Sequence, residues 1–213
     1  MRPRLNGFAH LPPSAPGMVI GLFGGTFNPP HMGHAGASLI ALRRLGLDSV
    51  WWVVTPGNPL KENSGLPSLA MRMASARAMI PDPRIVITGF EAEIGARYTF
   101  DTISYLRRRC PGVRFVWIMG ADNLASFHRW QHWKEIADLV SIAVVDRPGS
   151  TLKATHSTAG HWLRPRRVQE FAARAGVRSE RPCFVFLHGP RSELSSTALR
   201  SAGHGLATFQ TPG

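Results

Sequence analysis

Two histidines, His31 and His34, close a stretch whose residue types and spacing favour chemistry on phosphate. The stretch begins as an apolar run at Met18, breaks at glycines and at Pro29–Pro30, and continues into a helical pattern at His31. That order predicts a strand, a tight loop and a helix N-terminus, where N–H groups and the helix dipole attract phosphate. Because residues three apart share a helix face, both imidazoles are expected to face the site, as acid–base groups, metal ligands or phosphate contacts.

The elements that would hold these histidines form a β–α–β unit. The run from Met18 to Phe23 is apolar almost throughout, as in central strands of parallel sheets. The helix that follows is predicted to stop at Gly46, and Val50–Val54 reads as a second strand. The glycine loop therefore follows the carboxyl end of the first strand, which is where ligands bind in open parallel sheets.

The same alternation continues along the chain and predicts an α/β protein: a single domain with a Rossmann-like, doubly wound parallel sheet. We expect this domain to span residues 18–202, between a disordered tail at 1–17 and an irregular tail at 203–213. Further strands are predicted at Arg84–Phe90, Phe115–Met119, Ser141–Val145 and Phe184–Leu187. Further helices are predicted from an N-cap at Ser68 to about Ile80, from a cap at Thr99 to Arg109, over Trp133–Leu139, around Arg167–Ala175, and after a cap at Ser195–Thr197.

The length and composition limit the classes of protein to which this chain can belong. The 213 residues suit one domain with a sizeable core, and no apolar run is long enough to cross a bilayer. The first 17 residues lack the apolar core of a signal peptide, so we expect a cytoplasmic protein with no membrane partner. Cys110 and Cys183 lie outside any metal-binding pattern, which argues against a structural zinc and, in that compartment, against a disulfide.

The net charge of +12, from 25 basic and 13 acidic residues, favours polyanionic partners. The excess is uneven, because after Asp146 the arginines outnumber the acids, which are only Glu170, Glu180 and Glu193. Three interpretations remain open: a solvated basic surface, attraction of a small phosphorylated substrate, and nucleic-acid binding. We do not expect a nucleic-acid partner, because no known nucleic-acid motif accompanies the charge.

Polar loops follow three of the predicted strands, at Gly24–His34, Gly120–Asn123 and Leu194–Arg200. Because the carboxyl ends of parallel strands lie on one edge of a sheet, these loops are expected to converge. Together they offer two helix starts, two imidazoles, a carboxylate, hydroxyls and a guanidinium. That set suits a nucleoside triphosphate.

The residues Gly24–His34, which include His31-Met32-Gly33-His34, resemble the HxGH signature of the nucleotidyltransferase superfamily. Ser195-Ser196-Thr197-Ala198-Leu199-Arg200 resembles its second signature, SSTxxR. Four stretches between them are similar to the bacterial nicotinate-nucleotide adenylyltransferases: Arg97–Thr102, Ile118–Asp122, Phe127–Trp130 and Asp146–Gly149. The resemblance runs from about Met18 to Arg200. The chain departs from the family pattern after that, because Ser201–Gly213 is short and glycine-rich.

The resemblance implies transfer of AMP from ATP to nicotinate mononucleotide, with deamido-NAD and pyrophosphate as products. It implies that His31, His34 and Arg200 act in catalysis by stabilising phosphate charge. The ATP-binding residues that it implies are Gly24, Gly25, Thr26, Phe27, His31, Gly33, His34, Gly120, Asp122, Ser195, Ser196, Thr197 and Arg200. Mg²⁺ is the expected cofactor, held mainly by substrate phosphates rather than by protein ligands.

For the second substrate, the resemblance implies that Trp130 stacks on the pyridine ring, that Tyr98 and Thr99 bind its carboxylate, and that Lys61 approaches the phosphate. A core-packing role for Tyr98 and Trp130, and a solvated loop position for Lys61, remain open. So do two related functions, adenylyl transfer to nicotinamide mononucleotide or to phosphopantetheine. A non-catalytic nucleotide or nucleic-acid binder is the alternative from another class. The oligomeric state, a homo-oligomer included, is also open.

Overall fold

A computed structural model describes residues 10–57, 65–146 and 154–189. Its centre is a sheet of seven strands, all parallel, in the order β3-β2-β1-β4-β5-β7-β6. The strands are β1 (Val19–Gly25), β2 (Ser49–Val54), β3 (Ile85–Thr88), β4 (Arg114–Gly120), β5 (Ser141–Val145), β6 (Arg167–Val168) and β7 (Phe184–Leu187). The predicted parallel α/β sheet is confirmed.

Helices connect the strands and cover both faces of the sheet. They are α1 (Met32–Arg44), α2 (Leu69–Met79), α3 (Phe90–Ile94), α4 (Thr99–Arg109), α5 (Ala121–Ser126), α6 (Trp133–Leu139), α7 (Thr158–Leu163) and α8 (Ala173–Gly176). Short 3₁₀ turns lie at Phe127–Arg129, Arg164–Arg166 and Glu170–Ala172. Buried side chains of α1, α2 and α8 belong to one core cluster, and those of α3 to α7 belong to the other.

The alternation of side chains along β1 explains the two cores. Val19 and Phe23 lie in the cluster with α1 and α2, whereas Ile20 and Leu22 lie in the opposite one. Successive strand residues point to opposite faces, so a strand covered on both sides must be apolar at every position. The doubly wound arrangement that we predicted follows directly from this continuous apolar pattern.

The order of the strands places the loops after β1 and β4 side by side. These two strands are hydrogen-bonded neighbours, with Phe23 opposite Ile118. From β1 the sheet extends to one side through β2 and β3, and to the other side through β4 and β5. The strand order therefore reverses between β1 and β4, and a crevice at the carboxyl ends of such strands is the usual ligand site of open α/β sheets.

Several local predictions are confirmed and others are wrong. Ser68 caps α2, where its hydroxyl accepts a hydrogen bond from the N–H of Met71 at 3.2 Å. The third strand ends at Thr88 rather than at Phe90, which instead starts α3 and stacks on the Tyr105 ring in the core. Tyr98, not Thr99, is the N-cap of α4.

The region around residues 167–175 is not one helix as predicted. It begins as the two-residue strand β6, in which Arg167 pairs with Phe184, and only later forms a 3₁₀ turn and α8. Within the described part of the chain the sheet therefore has seven strands rather than the six that we predicted. A two-residue strand has no periodicity to detect, because it exists only through its pairing with β7.

Part of the predicted N-terminal tail falls in the described region. Leu11 packs against the core, and the N–H of Gly17 donates to the carbonyl of Gly112 at 2.9 Å. The predicted helix after Ser195 and the tail at 203–213 lie outside the described residues. Within the described ranges, none of the helices has the length and apolar character that crossing a bilayer would require.

Candidate active site

The turn between β1 and α1 is held by a reciprocal pair of hydrogen bonds between its two histidines. His31 is the N-cap of α1, and its Nδ1 accepts from the N–H of Gly33 at 3.1 Å. The Nδ1 of His34 accepts from the N–H of His31 at 3.2 Å. This is a capping box in which imidazoles replace the usual hydroxyl and carboxylate. The two rings lie 3.7 Å apart between centroids.

These hydrogen bonds decide the protonation of both rings. A backbone N–H can only donate, so the Nδ1 of His31 and the Nδ1 of His34 must each present a lone pair. Each ring is therefore the neutral tautomer that carries its proton on Nε2. Nε2–H is a hydrogen-bond donor at the N-terminus of a helix, which is a suitable partner for a phosphate oxygen.

The packing of Phe27 in the core holds the loop between β1 and α1 in place. Its backbone has a positive φ of 47°, and its ring is 1% exposed. The ring stacks on Trp52 of β2 with 4.6 Å between centroids and contacts the ring of His34 at 4.9 Å. Trp52 is held in turn by a 2.7 Å hydrogen bond from its indole N–H to Ser38 of α1. The predicted ATP residue Phe27 thus places its side chain in the core.

Gly24 and Gly25, the last residues of β1, are tightly packed. A Cβ on Gly24 would lie 2.6 Å from Cη2 of Trp117, and one on Gly25 would lie 3.3 Å from the ring of Phe27. The sequence suggested that these glycines admit a ligand to the backbone. The structure adds that glycine is required at position 24 because the Trp117 indole occupies the space of a side chain.

The second predicted loop lies beside the first. Gly120 ends β4 and is the N-cap of α5, and Asp122 lies exposed in the first turn of that helix. Since β1 and β4 pair directly, the expected convergence of these two loops is confirmed. The starts of α1 and α5 lie at the same edge of the sheet as Thr26 and the end of β2.

The predicted residues for the second substrate occupy α4 and the segment before α6. Tyr98 is 39% exposed and does not pack in the core, whereas Thr99 is the first residue of α4. Trp130 is half-buried, with its ring edge-on to Phe127 at 5.3 Å and to Trp117 at 6.1 Å. The two segments are neighbours, because the ring of Phe100 in α4 lies 4.6 Å from that of His132.

Arg72 of α2 is a site-organising residue that the sequence reading missed. It is 1% exposed, and its guanidinium donates to the carbonyl oxygens of Thr26, Thr55, Pro56 and Pro67, at 2.8, 2.8, 3.3 and 2.9 Å. Burial lowers the pKa of this guanidinium. The sequence did contain a signal for the special role of Arg72. It shares a helix face with Ala76, and on this buried face an apolar residue would be expected instead of arginine.

Glu91 of α3 is the second missed residue. It is 7% exposed, and its Oε1 accepts from the hydroxyl of Thr102 at 2.5 Å. Burial raises the pKa of Glu91 to about 7, against the lowering effects of hydrogen bonds from Thr102 and Thr55, while Asp101 raises it further. The sequence gives no signal at Glu91, because no periodic pattern covers the residues between the predicted third strand and the helix at Thr99.

Five predicted residues lie outside the described parts of the chain: Lys61, Ser195, Ser196, Thr197 and Arg200. Among the residues that are described, no three His, Cys, Asp or Glu side chains are grouped so that they could hold a metal ion.

Residues 22–202 match the model of the cytidylyltransferase-like family. The protein named "Probable nicotinate-nucleotide adenylyltransferase" in Agrobacterium fabrum is 56% identical over 184 residues, which cover 86% of this chain and 98% of that protein. The protein of the same name in Rhizobium johnstonii is 51% identical over 191 residues, which cover 90% of this chain and 96% of that protein.

Solved structures with the same fold include the nicotinic acid mononucleotide adenylyltransferase of Plasmodium falciparum, in one structure complexed with APC and in another with NaAD. Both superpose with a TM-score of 0.62 over 86% of this chain and 83% of theirs, at 14% and 15% identity. Fold, loop order and these similarities lead to one conclusion: the chain belongs to the cytidylyltransferase-like family and, within it, to the nicotinate-nucleotide adenylyltransferases.

Proposed function

We propose that this protein transfers AMP from ATP to nicotinate mononucleotide, forming deamido-NAD and pyrophosphate in NAD biosynthesis. The observation that carries the proposal is the pair of neutral, Nε2-protonated histidines at the start of α1, in the crevice where the strand order reverses. The high identity to proteins that bear this activity in their names supports it.

The reaction needs little acid–base chemistry. The attacking group is a phosphate oxygen of the mononucleotide, and a phosphate monoester is already anionic near neutral pH. The bond formed joins this oxygen to the α-phosphorus of ATP, and the bond broken releases pyrophosphate. Catalysis then consists of positioning the two phosphates and stabilising the charge that develops on the leaving group.

Each predicted site residue has a role in this scheme. His31 and His34 donate Nε2–H to the ATP phosphates, while Gly24, Gly25, Thr26, Phe27 and Gly33 provide backbone around them. Gly120 and Asp122 meet the ATP ribose. Ser195, Ser196, Thr197 and Arg200 hold the outer phosphates. Mg²⁺, if bound with ATP, would neutralise part of the charge on these phosphates.

The acceptor lies on the side of α4. Trp130 stacks on the pyridine ring, Tyr98 and Thr99 bind its carboxylate near the start of that helix, and Lys61 approaches the phosphate. The exposed ring of Tyr98 and the half-buried ring of Trp130 support this assignment, since both have surface to offer a ligand. We also propose a cytoplasmic location, supported by two buried, unpaired thiols.

Replacement of His34 tests the mechanism most sharply. In His34→Ala the Nε2–H donor is lost together with the Nδ1 acceptor of the capping box. We expect kcat for pyrophosphate release to fall by about 10²- to 10³-fold, the usual effect of removing one transition-state donor, and stability to fall by about 1 kcal/mol through the lost cap. His161→Ala, at an exposed histidine in α7, is the matched control. Turnover retained in a folded His34→Ala would contradict the assignment.

The acceptor is tested by comparing nicotinate mononucleotide, nicotinamide mononucleotide and phosphopantetheine with ATP as donor. We expect the highest kcat/KM with the nicotinate form. Equal or faster reaction with either alternative would refute the specificity. A nucleic-acid binder would instead show no pyrophosphate release with any acceptor and a steep dependence of RNA affinity on salt.

A further inference from the structure

A cavity lies at the far edge of the sheet, between α7, β6 and β7. Its volume is about 630 Å³, which is within the range of about 300–1,000 Å³ that small-molecule sites usually occupy. The polar and charged residues that line it are Thr155, His156, His161, Arg164, Arg167 and Gln169. None of the site residues that the sequence predicted is among them.

The cavity is separate from the candidate active site. In the sheet, β6 lies three strands from β4, which is roughly 14 Å at the usual spacing of neighbouring strands. Arg167 and Phe184, both in the lining, are the paired first residues of β6 and β7. The cavity therefore adjoins the amino-terminal ends of these strands, whereas the loops of the candidate active site follow the carboxyl ends of β1 and β4.

Close backbone packing builds the wall of the cavity at α7. A Cβ on Gly160 would lie 2.5 Å from the carbonyl oxygen of Ala154 and 2.7 Å from that of Thr155, so the chain before α7 lies directly against the helix. The hydroxyl of Ser157 caps the helix and accepts from the N–H of Gly160 at 3.1 Å. Phe184, which is 3% exposed, closes the cavity on the side of the sheet. These contacts fix the backbone beside the polar lining residues.

The positive charge of the cavity is not balanced within the described residues. Its described lining contains two arginines and no acid, and neither Arg164 nor Arg167 forms an ion pair in the described parts of the chain. The acids that contact or follow these segments are bound to other cations: Asp138 to Arg166, and Glu170 to Arg44 and His188. A concave surface lined by one sign of charge raises the local concentration of counter-ions, so this cavity favours an anion.

The side chains indicate the class of anion. Guanidinium groups present forked N–H donors that match the oxygens of a phosphate. Thr155 and Gln169 can both donate to and accept from hydroxyl groups, which suits the sugar or alcohol part of a phosphate ester. Binding of single-stranded RNA depends on aromatic rings that stack on bases, and the ring of Phe184 is buried. The lining therefore fits a small phosphate ester better than a nucleic acid.

We propose that this cavity binds a small phosphate ester, the size of a mononucleotide or smaller. Arg164 and Arg167 bind its phosphate, and Thr155 and Gln169 bind its hydroxyl groups. The inference does not rest on the proposed function, because it concerns residues that have no part in the adenylyl-transfer site.

Ribose 5-phosphate is the probe for this site, because it combines a phosphate with sugar hydroxyls. The imidazole rings of His156 and His161 lie 6.3 Å apart in the lining, so both can report a ligand there. Their ¹H–¹³C signals are recorded on the full chain at low ionic strength and are assigned with His156→Gln and His161→Gln. We expect both signals to shift saturably with ribose 5-phosphate. Ligand in the candidate active site would instead shift other histidine signals, and an absence of shifts at His156 and His161 would overturn the proposal.

Two variants test the arginines. Arg164→Gln and Arg167→Gln each remove one positive charge, and each should weaken binding at least about tenfold, the effect of losing one charge-assisted hydrogen bond. Arg84→Gln makes the same change in charge at the opposite edge of the sheet, where Arg84 pairs with Asp82 at 2.8 Å before β3. This control should bind as tightly as wild type. Equal weakening in all three variants would overturn the proposal, since it would show only a general attraction to a basic protein.

Three further ligands separate the possible sources of a phosphate group. Ribose alone should cause no shift, and inorganic phosphate should bind more weakly than ribose 5-phosphate. Equal affinity for inorganic phosphate and ribose 5-phosphate would overturn the role of Thr155 and Gln169. An RNA oligonucleotide that shifts His156 and His161 when ribose 5-phosphate does not would overturn the assignment to a small ligand. All of these measurements report binding, so their outcome is distinguishable from failure of the proposed function, which abolishes pyrophosphate release.

Discussion

Arg72 binds four carbonyl oxygens in three separate segments around the site. It joins Thr26 after β1 to Thr55 and Pro56 after β2, and to Pro67 before α2. A guanidinium can do this because its five N–H groups diverge in one plane, whereas an ammonium presents its donors from one point. The shape of the glycine loop therefore depends on a residue that is far from it in sequence.

Replacing Arg72 with lysine should therefore destabilise the protein although it keeps the charge. We expect Arg72→Lys to lower the free energy of unfolding by about 3 kcal/mol, because several buried carbonyls lose their donor. Urea unfolding would measure this change in the free energy of unfolding. Arg77→Lys, on an exposed position of the same helix, is the control and should change stability by less than about 0.5 kcal/mol. Equal effects at the two positions would contradict this account.

The packing of Trp117 over Gly24 gives a second contrast between single residues. In Gly24→Ala the new Cβ would lie 2.6 Å from a rigid indole carbon, so we expect a loss of about 1–3 kcal/mol in unfolding free energy. Gly36→Ala, inside α1, meets nothing within 4 Å and should stabilise by about 0.5–1 kcal/mol through helix propensity. Thermal unfolding of both variants decides the matter, and a stabilised Gly24→Ala would exclude the proposed contact.

Helix α3 is too short to form without its neighbours in the fold. This helix, Phe90–Ile94, has only five residues and could not persist alone in water. It is held by Phe90 in the core and by the hydrogen bond that Glu91 accepts from Thr102 of α4. The sequence predicted a strand through Phe90 because local apolar residues continue to that point. The competing burial of Phe90 against Tyr105 comes from a helix that follows later in the chain.

The raised pKa of Glu91 makes stability depend on pH in a defined direction. The native state holds a proton that the unfolded chain has lost between the ordinary pKa of 4.5 and the raised pKa of about 7. The stabilisation is therefore fully present below pH 4.5 and is lost as the pH rises to 7. We expect the unfolding free energy of wild type, relative to Glu91→Gln, to fall by about 3 kcal/mol across this window. Denaturant titrations at several pH values measure it, and a difference that stays constant or increases with pH would contradict it.

For the whole molecule, the sheet separates the two cysteines. Cys110 belongs to the core cluster under α4, and Cys183 belongs to the cluster on the opposite face. Both thiols are free and buried, and burial raises the pKa of Cys183. Buried thiols with little thiolate character are unreactive.

Thiol labelling should therefore report global unfolding. In native buffer we expect both cysteines to react slowly with an aromatic disulfide reagent, and in urea both should react at once. The midpoint of thermal unfolding should not change when reductant is added, since no disulfide is present to lose. Serine variants at each position identify which thiol reacts. Fast labelling of either cysteine in native buffer would show that its face of the sheet opens locally.

The sequence alone determined the elements that are long and periodic. The strands at Ser141–Val145 and Phe184–Leu187 and the helix at Trp133–Leu139 have the predicted bounds, because each is specified by its own residues. The order of strands and helices also implied that the loops after β1 and β4 meet, since parallel strands end at one edge. The histidines of the first loop were identified by type and spacing, before any geometry was known.

Tertiary structure decided what no local pattern encodes. It set the tautomer of His31 and His34, because that depends on which backbone N–H each ring receives. It made Gly24 a requirement of Trp117 packing, and it gave Arg72 and Glu91 their roles. A hydrogen bond between residues 46 positions apart, such as that from Arg72 to Thr26, leaves no trace in periodicity. It exists only after the sheet has brought the ends of its strands together.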